Sequence, residues 1–120
     1  MAVRPEELAA TLVARYRAQR AEHADRAQRL RAAVGPALRA ELGVRPGCRA
    51  WLMGSLAHGT FGAASDVDIV VEGVPVEAAP ALWLALCERL DAPVDLLRLE
   101  ELAPSFRERV LAEGDPIDVA

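Results

Sequence analysis

A run of β-branched apolar residues in the second half of the chain constrains the fold more than any other feature. Residues 67–71 read Val-Asp-Ile-Val-Val, and such a run is typical of a buried strand. The chain has 120 residues, which is enough for one compact core and too few for two ordinary domains. The run therefore predicts a single α/β domain.

Weaker patterns supply the other elements of that domain. Further strands are predicted at 49–53, 93–97 and 117–119. Helices are predicted at 77–90, 100–103 and 105–112, the first because its apolar residues recur at helical spacing. Together these segments predict an α/β (α+β) fold. It has a small mixed β-sheet, helices packed mainly on one face, and an active site at the ends of the first three strands.

The first third of the chain is rich in Ala, Leu, Arg, Glu and Gln, which favour helix. Residues 5–33 are predicted to be helical, with Pro5 in the first turn. Gly35-Pro36 is expected to interrupt or kink this helix, and a shorter helical piece runs to about Leu42. We therefore divide the chain into an N-terminal Arg-rich helical arm at 1–47, part of the same compact unit, and a core at 48–120.

Charge is divided unevenly along the chain. Residues 1–50 carry +5 and residues 51–120 carry −9, and the pI is near 5.2. This balance argues against a general nucleic-acid binder. The favoured interpretation of the basic half is the solvated face of an Arg-rich helix. Contact of the basic half with RNA or with an acidic partner stays open as the alternative. No apolar run is long enough to span a membrane, and no secretory signal is predicted. Cys48 and Cys87 suggest partly buried thiols, so we expect a cytoplasmic protein.

Two acids stand at the start of the buried strand. Asp66 and Asp68 would point to the same face of a strand, roughly 7 Å apart, and would repel each other. The chain contains no Lys, and no Arg lies between Arg49 and Arg89. A hard divalent cation such as Mg²⁺ would relieve that repulsion. A turn cap or a solvated strand end is the alternative interpretation of the pair.

Two further features favour the metal interpretation. Gly54-Ser55 follows a strand, where Gly allows close backbone approach and a helix start can bind phosphate. Asp95 sits alone in the apolar strand 94–97; if that strand neighbours Asp68, the two acids lie about 5 Å apart across the sheet. A buried carboxylate in a strand centre needs a partner. A surface acid on an edge strand is the alternative for Asp95.

These residues resemble a known family. The segment Gly-Ser-Leu-Ala-His-Gly at 54–59, followed by Ser-Asp-Val-Asp at 65–68 and an apolar run, is similar to the motif of the polymerase-β-like nucleotidyltransferases. It is most similar to the short prokaryotic minimal nucleotidyltransferase (MNT) type. The resemblance continues through 94–97 and 109–114 and covers roughly residues 48–119. Where the family commonly has Arg, this chain has His58, which puts the rate of turnover in question.

The resemblance implies a site and a reaction. Gly54, Ser55 and Ser65 would bind the phosphates of ATP or another NTP. Asp66 and Asp68 would ligate two Mg²⁺ ions, and Asp95 would complete the second metal site and help to deprotonate the attacking hydroxyl. The reaction is attack on the α-phosphate with pyrophosphate leaving.

The resemblance also implies a partner. MNT-type domains are paired with HEPN-type toxin ribonucleases, so the chain is expected to act as the antitoxin by transferring AMP to a tyrosine of the toxin. Two alternatives remain open. One is a non-catalytic antitoxin that binds a nucleotide or its partner and acts by occlusion. The other, less favoured, is nucleotidyl transfer to tRNA, for which the basic arm is the only supporting feature.

Overall fold

The computed structural model describes residues 4–58 and 65–119, apart from the side chain of His58. The helices are α1 Pro5–Leu42, α2 Gly54–His58, α3 Ala79–Leu90 and α4 Pro104–Glu113, and 3₁₀ turns occupy Val76–Ala78 and Leu99–Glu101. The strands are β1 Arg49–Met53, β2 Val67–Glu72, β3 Val94–Arg98 and β4 Asp115–Ile117. In this part of the chain no helix is both long and apolar enough to cross a membrane.

The four strands form one mixed sheet in the order β3-β2-β1-β4. β1 is antiparallel to both β2 and β4, whereas β2 and β3 are parallel. The parallel pair needs a crossover, which α3 and its preceding 3₁₀ turn provide. The predicted α+β fold with a small mixed sheet is therefore confirmed.

The two faces of the sheet are covered unequally. Alternate residues of β1 and β2, including Leu52, Ile69 and Val71, pack against α1, α2 and α3 in the main core. We call this side the helical face. The opposite side, the open face, carries Trp51 and Val70, which pack with α4 and the second 3₁₀ turn in a smaller cluster. Because strand residues alternate between faces, Asp68 and Asp95 lie on the open face.

Helix α1 continues through Gly35-Pro36, so the expected interruption is wrong. Proline removes one intrahelical hydrogen bond and crowds the preceding turn. Here Val34, Ala37 and Leu38 on either side of it are buried in the main core, and Pro36 itself is exposed. Tertiary packing of those neighbours holds the helix together across the proline.

The last strand lies two residues earlier than predicted, at Asp115–Ile117. Local hydropathy favoured 117–119, but the strand is defined by its antiparallel pairing with β1, in which Leu52 faces Asp115 and Ala50 faces Ile117. Pro116 is tolerated because β4 is an edge strand. The helix predicted at 100–103 is instead the 3₁₀ turn Leu99–Glu101. The domain boundary between residues 47 and 48 stays a prediction.

Candidate active site

The end of β1 turns sharply at Gly54, against the carboxylate of Asp68. Gly54 has a φ of +69°, a left-handed conformation that side-chain-bearing residues adopt at a cost. A Cβ atom at this position would stand 2.1 Å from Asp68 Oδ2, which is well inside van der Waals contact. Only glycine therefore allows the backbone at the start of α2 to lie directly beside that carboxylate.

Asp68 and Asp95 face each other across the parallel pair of strands. They are register partners in β2 and β3, and neighbouring strands lie about 4.8 Å apart. A hydrogen bond of 2.9 Å from Val67 N to Pro93 O joins the starts of the two strands. The across-sheet placement predicted for Asp95 is thus what the register shows.

The predicted burial of Asp95 is wrong, because its side chain is exposed. β3 is an edge strand, and the helices that cover the other face do not cover the face on which Asp95 lies. The alternative interpretation, a surface acid on an edge strand, describes its burial correctly. Both statements hold together: Asp95 is solvated, and it stands opposite Asp68.

Partial burial and the charges of neighbouring acids both change the pKa of Asp68. Its side chain is half-buried, and Asp66, two residues earlier and just before β2, is exposed. Burial raises the pKa of Asp68 above the ordinary value, and the nearby charges of Asp95 and then Asp66 raise it further. Two further carboxylates therefore act on Asp68 at this end of the sheet. We call Asp66, Asp68 and Asp95 the acidic edge.

The other predicted site residues lie beside the acidic edge along the chain. Gly54 and Ser55 begin α2, and Ser65 directly precedes Asp66. The side chain of His58 lies outside the described residues. Within the described residues, no three His, Cys, Asp or Glu side chains are already gathered in the arrangement of a metal site.

A cleft of about 320 Å³ on the open face joins the acidic edge to α4. Its polar and charged lining residues are Asp68, Asp95, Arg109 and Glu113. Among the described residues that line it, Arg109 is the one cation. Its guanidinium carbon lies 5.9 Å from the centre of the Phe106 ring, which also lines the cleft. Arg109 Nε stands 3.8 Å from Glu113 Oε2, a loose and exposed pair that leaves the cation able to bind an anion.

No site residue was predicted in α4. Phe106, Arg109 and Glu113 are three or four residues apart, so they share one face of the helix. That spacing was visible in the sequence. Which face of α4 meets the sheet depends on Val110, which is buried against Trp51 and Val70, and this contact is not encoded locally.

Comparison with known proteins connects this site to a family. The sequence model of the nucleotidyltransferase domain matches residues 38–114. Similar solved structures include a protein provisionally described as a minimal nucleotidyltransferase, 33% identical, with a TM-score of 0.65 over 76% of this chain and 95% of the other. No curated protein sequence matches the chain.

Two toxin–antitoxin structures are also similar. One contains AMP-PNP and is 25% identical, with a TM-score of 0.62 over 72% of this chain and 74% of the other. The second is a mutant form of the toxin–antitoxin MntA-HpeT, 26% identical, with a TM-score of 0.56 over 71% of this chain and 68% of the other. Each of these alignments covers more than two thirds of this chain and of the matched chain.

Proposed function

Because the chain belongs to the nucleotidyltransferase domain family, we propose that it transfers a nucleoside monophosphate, AMP from ATP, to a hydroxyl group of a protein partner, with Mg²⁺ as cofactor. One observation carries the proposal: Asp68 and Asp95 are register partners on parallel strands, beside the close approach of Gly54. The carboxylates of Asp68 and Asp95 and the glycine backbone at Gly54 therefore lie together in the lining of one cleft. Transfer from a metal-bound nucleotide requires carboxylates for the metal ions and space beside them for the phosphates.

The donor set of the acidic edge fits magnesium. Asp66, Asp68 and Asp95 offer only carboxylate oxygens, which Mg²⁺ prefers. The pKa of Asp68 is raised by burial and by two other acids, so a divalent cation there would relieve an existing electrostatic cost. Asp66 and Asp68 would hold two ions, and Asp95 would complete the second site. When bound, the ions would stabilise charge on the attacking and leaving oxygens.

The nucleotide would lie between α2 and α4. Gly54 and Ser55 start α2, and the first N–H groups of a helix have no partner within it, so phosphate oxygens bind there. Ser65, next to Asp66 in the chain, would add a hydroxyl. Across the cleft, Arg109 supplies a positive charge for the phosphates.

Asp95 would accept the proton of the acceptor hydroxyl. Its exposure on the outermost strand makes it accessible to a hydroxyl presented by another macromolecule, and general bases must come within hydrogen-bond reach of the proton they remove. A cleft of about 320 Å³ encloses little beyond a nucleotide, which supports an acceptor that docks from outside.

The partner proposed is a toxin, with this chain as its antitoxin. Two similar structures are toxin–antitoxin complexes, one of them with AMP-PNP, which supports both a toxin partner and an adenine nucleotide. From the resemblance to the MNT type we further propose that the toxin is a HEPN ribonuclease and that a tyrosine of the toxin accepts the AMP. Incubation with ATP labelled at the α-phosphate and the toxin from a neighbouring gene tests this directly, because the α-phosphate stays with the transferred AMP while the other two leave as pyrophosphate. Label on the toxin supports the proposal, whereas label on tRNA contradicts the acceptor.

Nucleotide binding is tested by thermal unfolding with each of the four NTPs, with and without Mg²⁺. A ligand at about a hundred times its dissociation constant adds about 2.7 kcal/mol, which is on the order of a 10 °C rise for a domain of this size. We expect ATP to stabilise the wild-type protein in the presence of Mg²⁺ and to have little effect on an Asp66→Asn/Asp68→Asn variant. Equal shifts in both proteins would contradict a site at the acidic edge and favour an antitoxin that acts by occlusion.

Replacing Arg109 by Gln is expected to raise the KM for ATP about tenfold, because an exposed charge-assisted phosphate contact contributes on the order of 1–2 kcal/mol. The turnover number should change less. Arg107→Gln is the matched control, since Arg107 is on the same helix, does not line the cleft, and bonds the Glu100 carbonyl oxygen at 3.4 Å. Similar kinetics for the two variants would remove Arg109 from the nucleotide site.

A further inference from the structure

The N-terminal half of α1 extends away from the domain. Every residue from 4 to 25 is exposed, whereas the buried residues of this helix lie between Leu30 and Leu42. A helix of 38 residues is about 57 Å long, and the longest dimension of the protein is 66 Å. Most of the stability of a protein helix comes from packing of its apolar face, so a partner surface would stabilise this exposed extension.

The helix face that packs onto the sheet carries apolar side chains again in this exposed half, beyond the polar residues Gln19 and His23. Leu12 and Tyr16 precede Leu30 and Val34 by 18 residues each, which is five turns at about 3.6 residues per turn. Leu30 and Val34 are 7% and 0% exposed, while Leu12 and Tyr16 are 55% and 60% exposed. Leu8, one turn before Leu12, is 51% exposed. The same face is therefore buried at one end of α1 and uncovered at the other.

Two pairs of charges beside this apolar stripe are complementary between identical helices. In an antiparallel pair centred on Val13, residues whose numbers add to 26 lie at the same level. Glu6 then lies level with Arg20 of the second copy on one side of the stripe. Arg4 lies level with Glu22 of the second copy on the other side. Each contact occurs twice by symmetry, and every one joins opposite charges.

The apolar side chains interleave in the same register. Leu12 of one copy comes level with the gap between Leu12 and Tyr16 of the other. Tyr16 comes level with the gap between Leu8 and Leu12 of the other. Side chains of one helix that fill gaps in the next are the basis of stable helix packing.

We propose that residues 4–22 of α1 bind the same segment of a second copy of this chain, as an antiparallel twofold pair. The two catalytic domains then stand at opposite ends of a particle on the order of 100 Å long, and both clefts stay open. The proposal does not depend on the reaction proposed above, since none of its residues lines the cleft with the acidic edge.

Sedimentation equilibrium of the full chain, together with small-angle X-ray scattering, tests the pairing. We expect the wild-type protein to dimerise with the elongated shape given above. Leu12→Glu places two charges at the centre of the interface and should weaken the dimer at least about a hundredfold. Ala14→Glu is the matched control, because Ala14 lies on the opposite side of the helix and its substitution should leave the dimer intact. A wild-type monomer at every concentration, or equal effects of the two variants, overturns the proposal.

Charge-reversal variants distinguish binding of a second copy of this chain from binding of a different partner at the stripe. Glu6→Arg and Arg20→Glu should each weaken the dimer about tenfold, because each variant creates two like-charge contacts. The double variant restores attraction between two copies, so its dissociation constant should return towards that of the wild type. If the double variant loses as much dimer affinity as the two single variants together, the antiparallel register is contradicted. Circular dichroism of each variant controls for loss of helix.

Discussion

Replacing Asp68 by Asn is expected to lower the rate of nucleotidyl transfer by about a thousandfold or more, while the ligand-free protein melts at the same temperature or higher. We expect opposite signs because the Asp68 carboxylate is repelled by neighbouring acids in the folded protein and would hold Mg²⁺ in the proposed reaction. Partial burial raises the pKa of Asp68, and the charges of its register partner Asp95 and then of Asp66 raise it further. Asn keeps the shape of the side chain and removes the repulsion, but it is a poor ligand for Mg²⁺.

The pH dependence of stability has a defined sign. Since the pKa of Asp68 is higher in the folded protein than in the unfolded chain, the folded state binds more protons, and the stability of the ligand-free protein falls as pH rises between the two pKa values. Asp68→Asn should remove this part of the pH dependence.

Transfer rates with the toxin acceptor and melting curves without nucleotide measure the two effects. Asp91→Asn is the control, because Asp91 is an exposed acid after α3 in a left-handed conformation with φ of 47°, which Asn tolerates. It should change neither quantity. An Asp68→Asn variant that keeps the wild-type rate would exclude Asp68 from the reaction. One that unfolds at a much lower temperature would show that the carboxylate stabilises the fold.

Replacing Gly54 by Ala is expected to abolish measurable transfer and to destabilise the protein by more than about 1–2 kcal/mol, the cost of a left-handed conformation for a residue with a Cβ atom. The additional cost comes from contact, since the new Cβ would stand 2.1 Å from Asp68 Oδ2. Either the carboxylate or the start of α2 must move, and both movements disturb the site.

Gly47 provides the matched control for backbone strain. Its φ is +83°, and a Cβ atom there would meet no other atom within 4 Å. Gly47→Ala should therefore cost stability through φ alone and leave transfer unchanged. If both variants lose the same stability and keep the same activity, the close approach at Gly54 has no functional role.

A double-mutant cycle identifies the colliding group. The stability lost on Gly54→Ala should be smaller when Asp68 is already Ala, because the carboxylate that collides with the new side chain is then absent. Residues in contact show such non-additivity, whereas distant residues add. Purely additive losses in chemical denaturation would contradict a direct contact between position 54 and Asp68.

Local sequence was sufficient for the type of most elements and for the prediction that Asp95 lies across the sheet from Asp68. The β-branched run at 67–71 and the apolar spacing of α3 each reflect a repeat that a strand or a helix imposes on its own residues. Asp66 and Asp68 stood out because two acids share one face at the start of an apolar strand, and Gly54 because a strand ends at it. Asp95 was singled out as a buried acid, although its side chain is exposed. Composition was sufficient for helix in the N-terminal segment but not for its continuity through Pro36.

Only the tertiary structure decided how these elements meet. The exposure of Asp95 depends on β3 being an edge strand and on which face the helices cover. The place of Arg109 in the cleft depends on burial of Val110 against Trp51 and Val70. The continuity of α1 at Pro36 depends on burial of its neighbours, and the start of β4 on its register with β1. Each of these involves residues far apart in the chain, whereas a local repeat carries information only about the element in which it occurs.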